Sequence, residues 1–415
     1  MSYFLIFSFV LLVLVYDFFS VHLHISFLDE LFVGILFIYA LLIRIKHKIT
    51  LTTTDKKIFI AFIILVLLGL IGGLLSGIQT ISIQLMDFII FIKFFITYFS
   101  TRIILTHKNI EYVLTQQIIT FLLASVTFVI LILLWNEVFR FYPHYDIKIF
   151  NLASEQLFFG HPAKYAFFFE IILILLLPLL KNNNFIIILF IIIFLAGFLS
   201  LRTKFIVFTG LLGIFIIALK FFNLKKLSVK KIFLGSFFFL AFIMIFAYDD
   251  IIFHLLKGSN GSYGVRGLLL ISAYDIASNS FPLGSGFGSF GSFASVVNYS
   301  SLYYTYGFDL IDGCMPDKPS FLVDNFYAMV LGEFGFIGFI LFVYILILLI
   351  KIFIHAFNMD SINRYYYISL IVLIITLSLD SLSDTPFSQN RGMFMAIYIA
   401  IIYNKFLINQ AKHEK

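Results

Sequence analysis

Residues 57–75 read KIFIAFIILVLLGLIGGLL, and residues 81–101 read ISIQLMDFIIFIKFFITYFST. The first run carries one charge, Lys57, at its edge, and its interior is apolar without alternation or a polar face. A helix that is apolar all round lies in a large core or in a bilayer, and a bilayer span takes about 20 residues. The second run matches that length but contains Asp87 and Lys93. Six positions turn a helix through about 240°, so the two charges do not pair within it. A charge in hydrocarbon is costly, which makes both residues functional candidates by default. Only Ser76 to Thr80 separate the two runs. Such a pair reads as a membrane-spanning helical hairpin.

The rest of the chain repeats the pattern. Of its 415 residues, 62% are apolar and 12% charged, and the mean hydropathy is +1.07; soluble domains run at about 45–50% and about 25%. No soluble globule buries that much. The composition excludes a single-pass anchor, a secreted enzyme and a nucleic-acid-binding domain. Further apolar runs bounded by charges fall at 2–19, 27–45, 113–135, 165–180, 185–200, 204–221, 232–248, 324–350, 365–380 and 392–408. The expectation is an all-α polytopic integral membrane protein of about twelve transmembrane helices. The N-terminal MSYFLIFSFV has no basic n-region and no small-residue cleavage site, so it reads as a retained first span. The single cysteine, Cys314, rules out an intramolecular disulfide and multi-cysteine metal sites.

Basic residues set the orientation. With both termini cytoplasmic, 18 of the 28 lysines and arginines fall on the inner side and 9 on the outer, with Lys93 inside a span. That bias follows the positive-inside rule, so the net charge of +6 is a topology signal. The chain then divides into residues 1–248, nine spans with a first outer loop at about 136–164; residues 249–323, a large outer loop; and residues 324–415, three spans and a cytoplasmic tail. The large loop is too long to lack structure in a compact protein, and VRGLLLISAYDIASNS predicts a helix over 265–280.

Basic residues on the outer side are the informative exceptions. Arg202 and Lys204 occupy a turn of about four residues in FLSLRTKFIVF. They read either as snorkelling interface anchors or as an anion site in which a guanidinium fork holds phosphate oxygens. Arg266 opens the loop helix, with a salt bridge to Asp249, Asp250 or Asp275 as the plain alternative. Gly284, Gly286, Gly288 and Gly291 in PLGSGFGSFGSF allow close backbone approach, to a ligand or to another helix. Asp324 and Asn325 stand at the mouth of a span, with Glu333 nine residues on; a regular helix puts the two carboxylates on opposite faces unless it breaks at Gly332 or Gly335. His161 precedes Pro162 at the start of a span, as a hydrogen-bonded interface residue or a base. Glu170 is a further charge within a span.

In order and placement, FFGHPAKYA, LSLRTKF, VRGLLLISAYDIASNSFPLGSGFGSF and DNFYAMVLGEFGFIG resemble the O-antigen polymerase and ligase family of bacterial envelope glycosyltransferases. Ligases of that family carry His-Asn, nine residues, then Gly-x-x-Gly. Here the spacing to Gly335 and Gly338 is kept, but Asp324 stands at the histidine position, which favours a polymerase.

The resemblance implies a metal-independent transfer of an undecaprenyl-diphosphate-linked glycan, with no cofactor, on the periplasmic side of a bacterial inner membrane. Within it, Arg202 and Arg266 are expected to hold the diphosphate, with Asp324 as base or acceptor-positioning group and His161 as second choice. Arg140, Lys204, Gly284, Gly286, Asn325 and Tyr274 are expected to bind substrate. The implied partners are lipid-linked repeat units and membrane lipids, with a chain-length regulator and a flippase as candidates and no nucleic acid. The alternatives are an O-antigen ligase acting on lipid A core and a lipid-linked oligosaccharide flippase or other transporter. A transporter would be expected to have shorter outer loops and polar residues along several spans.

Overall fold

The computed structural model describes residues 8–13, 16, 27–108, 116–142, 145–149, 152–181, 184–221, 264–359 and 363–413. The span expected at 232–248, the cytoplasmic loop 223–231, and Asp249 and Asp250 lie outside the described residues. The protein is an α-helical membrane protein: among the described residues, six helices are long and apolar enough to cross a bilayer. The elements are α1 (Leu28–His47), α2 (Thr53–Ser76), α3 (Ile81–Lys108), α4 (Gln116–Phe139), α5 (Pro162–Leu176), α6 (Asn184–Phe198) and α7 (Thr203–Phe221). They continue with α8 (Val265–Asn279), the short α9 (Phe293–Val297) and α10 (Ser301–Thr305), then α11 (Phe326–Met359), α12 (Arg364–Asp380) and α13 (Asn390–His413).

Helix ends follow local chemistry. Thr52 caps α2 with a capping box, its hydroxyl accepting from the Asp55 amide at 3.1 Å while an Asp55 oxygen accepts from the Thr52 amide at 3.3 Å. The helix stops at Gly77 in the left-handed conformation. At 34 residues α11 is about 51 Å long, more than the roughly 30 Å hydrocarbon core requires. It is interrupted at Gly335, whose φ of 65° and ψ of −171° leave the helical region.

Helix α3 lies at the centre, between α1 and α13, while α11 packs on α2 and α8. At one end of the bundle Arg102 of α3 is fully buried. It donates to both carboxylate oxygens of Asp55, at 3.1 and 3.4 Å, and to Asn404 of α13 at 3.3 Å. Its guanidinium lies over the Tyr403 ring, and Tyr98 donates to Asp55 at 2.7 Å. Every member is satisfied, which is the condition under which buried charge is tolerated.

The glycine-rich segment after α8 is threaded among α2, α3 and α11. The Ser285 and Gly286 amides donate to the carbonyls of Gly332 and Glu333 at 3.0 and 2.8 Å, and the Phe287 amide reaches Gly69 at 3.3 Å. One detail departs from the sequence reading, and one agrees with it. The first loop contains a small antiparallel hairpin, Tyr145–Ile149 with Leu152–Ser154, inside an otherwise helical protein. Lys93 pairs with Asp29 and Glu30 of α1, at 2.7 and 2.8 Å, and not with any residue of its own helix.

Candidate functional site

At the opposite end of the bundle from Arg102, charged side chains from five segments converge. His161 is the N-cap of α5, its Nδ1 accepting from the Ala163 amide at 3.2 Å, with Pro162 at the first helical position as the sequence predicted. Its Nε2 stands 3.3 Å from Nη2 of Arg202, which follows the tight turn after α6. A neutral imidazole has one lone pair. The Ala163 amide and the Arg202 guanidinium therefore face the two ring nitrogens and compete for that lone pair, and the ring proton sits on whichever nitrogen does not accept.

Arg266, in the first turn of α8, donates to Asp324 at 3.0 Å, and both side chains are about one quarter exposed. The Asp324 carboxylate therefore replaces Asp275 in the salt bridge that the sequence offered. Lys204, in the first turn of α7, faces Asp384 at 3.7 Å. Arg391, in the first turn of α13, bridges Asp384 and Asp380, the latter at 3.1 Å. Gln389 donates to Asp384 at 2.8 Å and accepts from Arg391 at 3.0 Å. The turn carrying Asp384 also fixes Asp324, because the Phe326 amide donates to the carbonyls of Ser381 and Asp384 at 2.9 and 3.2 Å. Arg202 with His161, Lys204 with Asp384, and Arg266 with Asp324 thus form adjacent pairs within electrostatic reach of one another.

Environment divides the titratable groups. Burial first, and then the positive charge of Arg202, hold the His161 imidazole down at about 4, so it is neutral at pH 7. Burial raises the Asp324 carboxyl above its ordinary value although Arg266 opposes this. At Asp384 the same burial is outweighed by Arg391 and Lys204, which hold its carboxyl well below the usual range. One carboxylate is therefore suited to accept a proton and the other to remain a counter-ion.

The remaining sequence candidates fall elsewhere or serve the fold. Asn325 is buried and caps α11, its Oδ1 accepting from the Ala328 amide at 3.0 Å. Gly284 and Gly286 lie against helix backbone: the space a Cβ would take is filled by Gly335 at one and by Gly72 and Gly73 at the other. Tyr274 is exposed and packs edge-on against Phe336. Arg140 is exposed beyond the end of α4, with its amide on the Asn136 carbonyl at 2.8 Å. Glu333 pairs with Asp87, not with Asp324. Conversely, Arg391 and Asp384 were missed. The signal was present, since Arg391 is a basic residue immediately before the apolar run 392–408, on the side expected to be sparsely basic. Glu170 lies within electrostatic reach of Asp380, Arg391 and Lys204.

Comparison with protein-family models, curated proteins and solved structures returns no match to this chain. The cluster must be read from its own chemistry. It offers several guanidinium and ammonium groups, a neutral imidazole and, in Asp324, a carboxylate of raised proton affinity at a membrane boundary. Among the described residues no group of three or more histidine, cysteine or acidic side chains is arranged to hold a metal ion.

Proposed function

We propose that this protein is a polysaccharide polymerase of the O-antigen type, joining undecaprenyl-diphosphate-linked repeat units at the periplasmic face of the inner membrane. The observation that carries the reading is the juxtaposition of Lys204 and Arg266 with Asp324 at one end of the bundle, with Arg202 and His161 joined to the same cluster through Asp384. In the reaction, Asp324 takes the proton of an acceptor hydroxyl whose oxygen attacks the anomeric carbon of the donor. The bond from that carbon to the diphosphate breaks, and the diphosphate leaves with the electron pair. Its charge is met by Arg202, Arg266 and Lys204, while the imidazole N–H of His161 adds a neutral donor. The products are a new glycosidic bond, the lipid diphosphate and a protonated Asp324. The transfer needs no metal in this reading, because the cations supply the charge stabilisation.

The basic-residue asymmetry supports a topology with both termini and the 223–231 loop in the cytoplasm and 249–323 in the periplasm. Labelling of single cysteines with an impermeant reagent in a Cys314→Ser background tests this. The aspartate at position 324, where ligases carry histidine, favours polymerase over ligase. A deletion strain separates the two on a lipopolysaccharide gel. Loss of a polymerase leaves core bearing at most one repeat unit, loss of a ligase leaves bare core with polymer stranded on the lipid carrier, and a normal ladder rejects both.

A further inference from the structure

Asp87 of α3 and Glu333 of α11 lie away from the cluster described above and have no part in the reaction proposed for it. Both are sealed from solvent, with 2% and 0% of their surfaces exposed. They lie within electrostatic reach of each other, with the Ser292 side chain beside both. Their other donors come from the glycine-rich segment: the Gly288 amide reaches Oδ2 of Asp87 at 2.9 Å, and the Phe290 amide reaches Oε1 of Glu333 at 3.3 Å.

Among the described residues, the surrounding groups supply no cation. Lys93, on the same helix as Asp87, is engaged by Asp29 and Glu30. Gln84, one turn from Asp87, spends its amide on the carbonyls of Gly73 and Gln79, at 3.1 and 2.9 Å. From α2 come the Gly69 carbonyl, which takes the Phe287 amide, and the Ser76 hydroxyl, which donates to the Ser285 carbonyl at 2.8 Å. From α10 comes the Tyr303 phenol, whose oxygen accepts from the Gly291 amide at 2.8 Å and is bonded to the Ser295 hydroxyl at 2.7 Å. Neither Asp87 nor Glu333 makes an ion pair among the described residues.

An ionised carboxylate only accepts, so two neighbouring carboxyl groups can bond to each other only when one of them carries a hydrogen. Two bare negative charges side by side in the membrane interior would repel each other with only amide and hydroxyl dipoles to compensate. The Oε2 atom of Glu333 is buried with no donor other than such a hydrogen. We infer that Asp87 and Glu333 form an intramembrane proton-binding site, holding one proton between them, and that this proton fastens the glycine-rich segment to α3 and α11.

The proton does mechanical work for the fold. The segment it fastens follows directly from α8, the helix that carries Arg266, and it lies against the break at Gly335 in α11. Without the proton, mutual repulsion of the carboxylates would push α3 and α11 apart at the point where the segment inserts.

Infrared spectroscopy of the purified full-length protein near neutral pH tests the inference. Wild type should show a protonated-carboxyl C=O band that is shifted or lost in both Asp87→Asn and Glu333→Gln. Absence of such a band, or a band unchanged in either variant, overturns it. A second readout is maleimide labelling of Ser289→Cys in a Cys314→Ser background, since Ser289 is buried within the segment. An amide can still donate where the acid did, so Asp87→Asn should keep the cysteine protected. Asp87→Ala should speed labelling by roughly tenfold or more. Equal labelling in both variants shows that the hydrogen fastens nothing. A melting temperature raised by sodium chloride over choline chloride at equal ionic strength places a metal cation between the carboxylates instead and also overturns the proton site.

Discussion

Arg266 and Asp324 lie 58 positions apart in the chain and meet at 3.0 Å, guanidinium to carboxylate. The anion-binding group and the base of the proposed reaction therefore occupy each other in the resting protein. A diphosphate that claims Arg266 releases Asp324, so the base becomes available when the donor arrives. Arg266→Gln and Asp324→Asn should each lower chain extension by about 10²–10³, the usual cost of losing a transition-state donor or a base. The charge-swapped double variant Arg266→Asp/Asp324→Arg should recover protein abundance without recovering extension by purified protein. Full activity of the swap would reduce the pair to a structural bridge.

At Arg202 the expected signature is geometric. Alanine should abolish extension at normal abundance, and lysine should rescue only in part, because an ammonium keeps the charge without the planar fork. A snorkelling anchor would tolerate lysine fully. The assay is polymerisation of purified lipid-linked repeat units with and without chelator, and loss of activity with chelator would point to a metal requirement.

Arg391 is the counter-ion on which the far side of the site depends. Arg391→Ala leaves Asp380 and Asp384 facing each other without their shared partner, and breaking a buried pair from one side costs about 3–5 kcal/mol. Thermal melting in detergent should register a large drop, and simultaneous replacement of Asp380 and Asp384 by asparagine should recover part of it. An unchanged melting temperature in Arg391→Ala would show that the bridge contributes nothing.

The imidazole of His161 titrates at about 4 in the folded chain, against an ordinary value of 6.5. The folded state thus binds this proton more weakly than the unfolded state does. Its contribution to stability is fully present above pH 6.5 and is lost as pH falls from 6.5 toward 4. Melting curves of wild type and His161→Gln should differ by a constant amount above pH 6.5 and converge below it. A difference that stays constant to pH 4 would count against the depressed titration.

Gly286 sits at φ +87° with the backbone of Gly72 and Gly73 filling the place of a Cβ. Gly286→Ala should cost about 1–2 kcal/mol for the left-handed conformation and about 1–3 kcal/mol more for overpacking. Lowered abundance and melting temperature are the readouts. Alanine at Gly77, which is also left-handed but has open space around it, should show the conformational cost alone.

Much of this arrangement was legible in the sequence where local rules decide. The loop helix expected over 265–280 is found at Val265–Asn279, and Pro162 opens α5 behind a capping histidine. Arg202, Lys204, Arg266 and Asp324 stood out because charge is rare at a membrane boundary; Lys204, Arg266 and Asp324 come together, while Arg202 meets His161. What sequence could not supply was partnership across long separations. Nothing local tells Arg266 to choose Asp324 over Asp275, or sends Glu333 to Asp87. The glycines illustrate the same limit, since close approach was evident but the approaching body proved to be helix backbone. The hairpin at 145–154 escaped because its alternation is interrupted by charge and spans few residues.

The buried bridge from Arg102 to Asn404 also constrains how the protein is made. Asp55 and Arg102 emerge from the ribosome some three hundred residues before Asn404 and Tyr403, which complete their surroundings. Until α13 is synthesised and inserted, the arginine lacks its asparagine and its aromatic cover, and α3 has an open flank. Closure around Arg102 therefore waits for α13, and a chain that terminates before α13 would present to membrane quality control a charged α3 with one side bare.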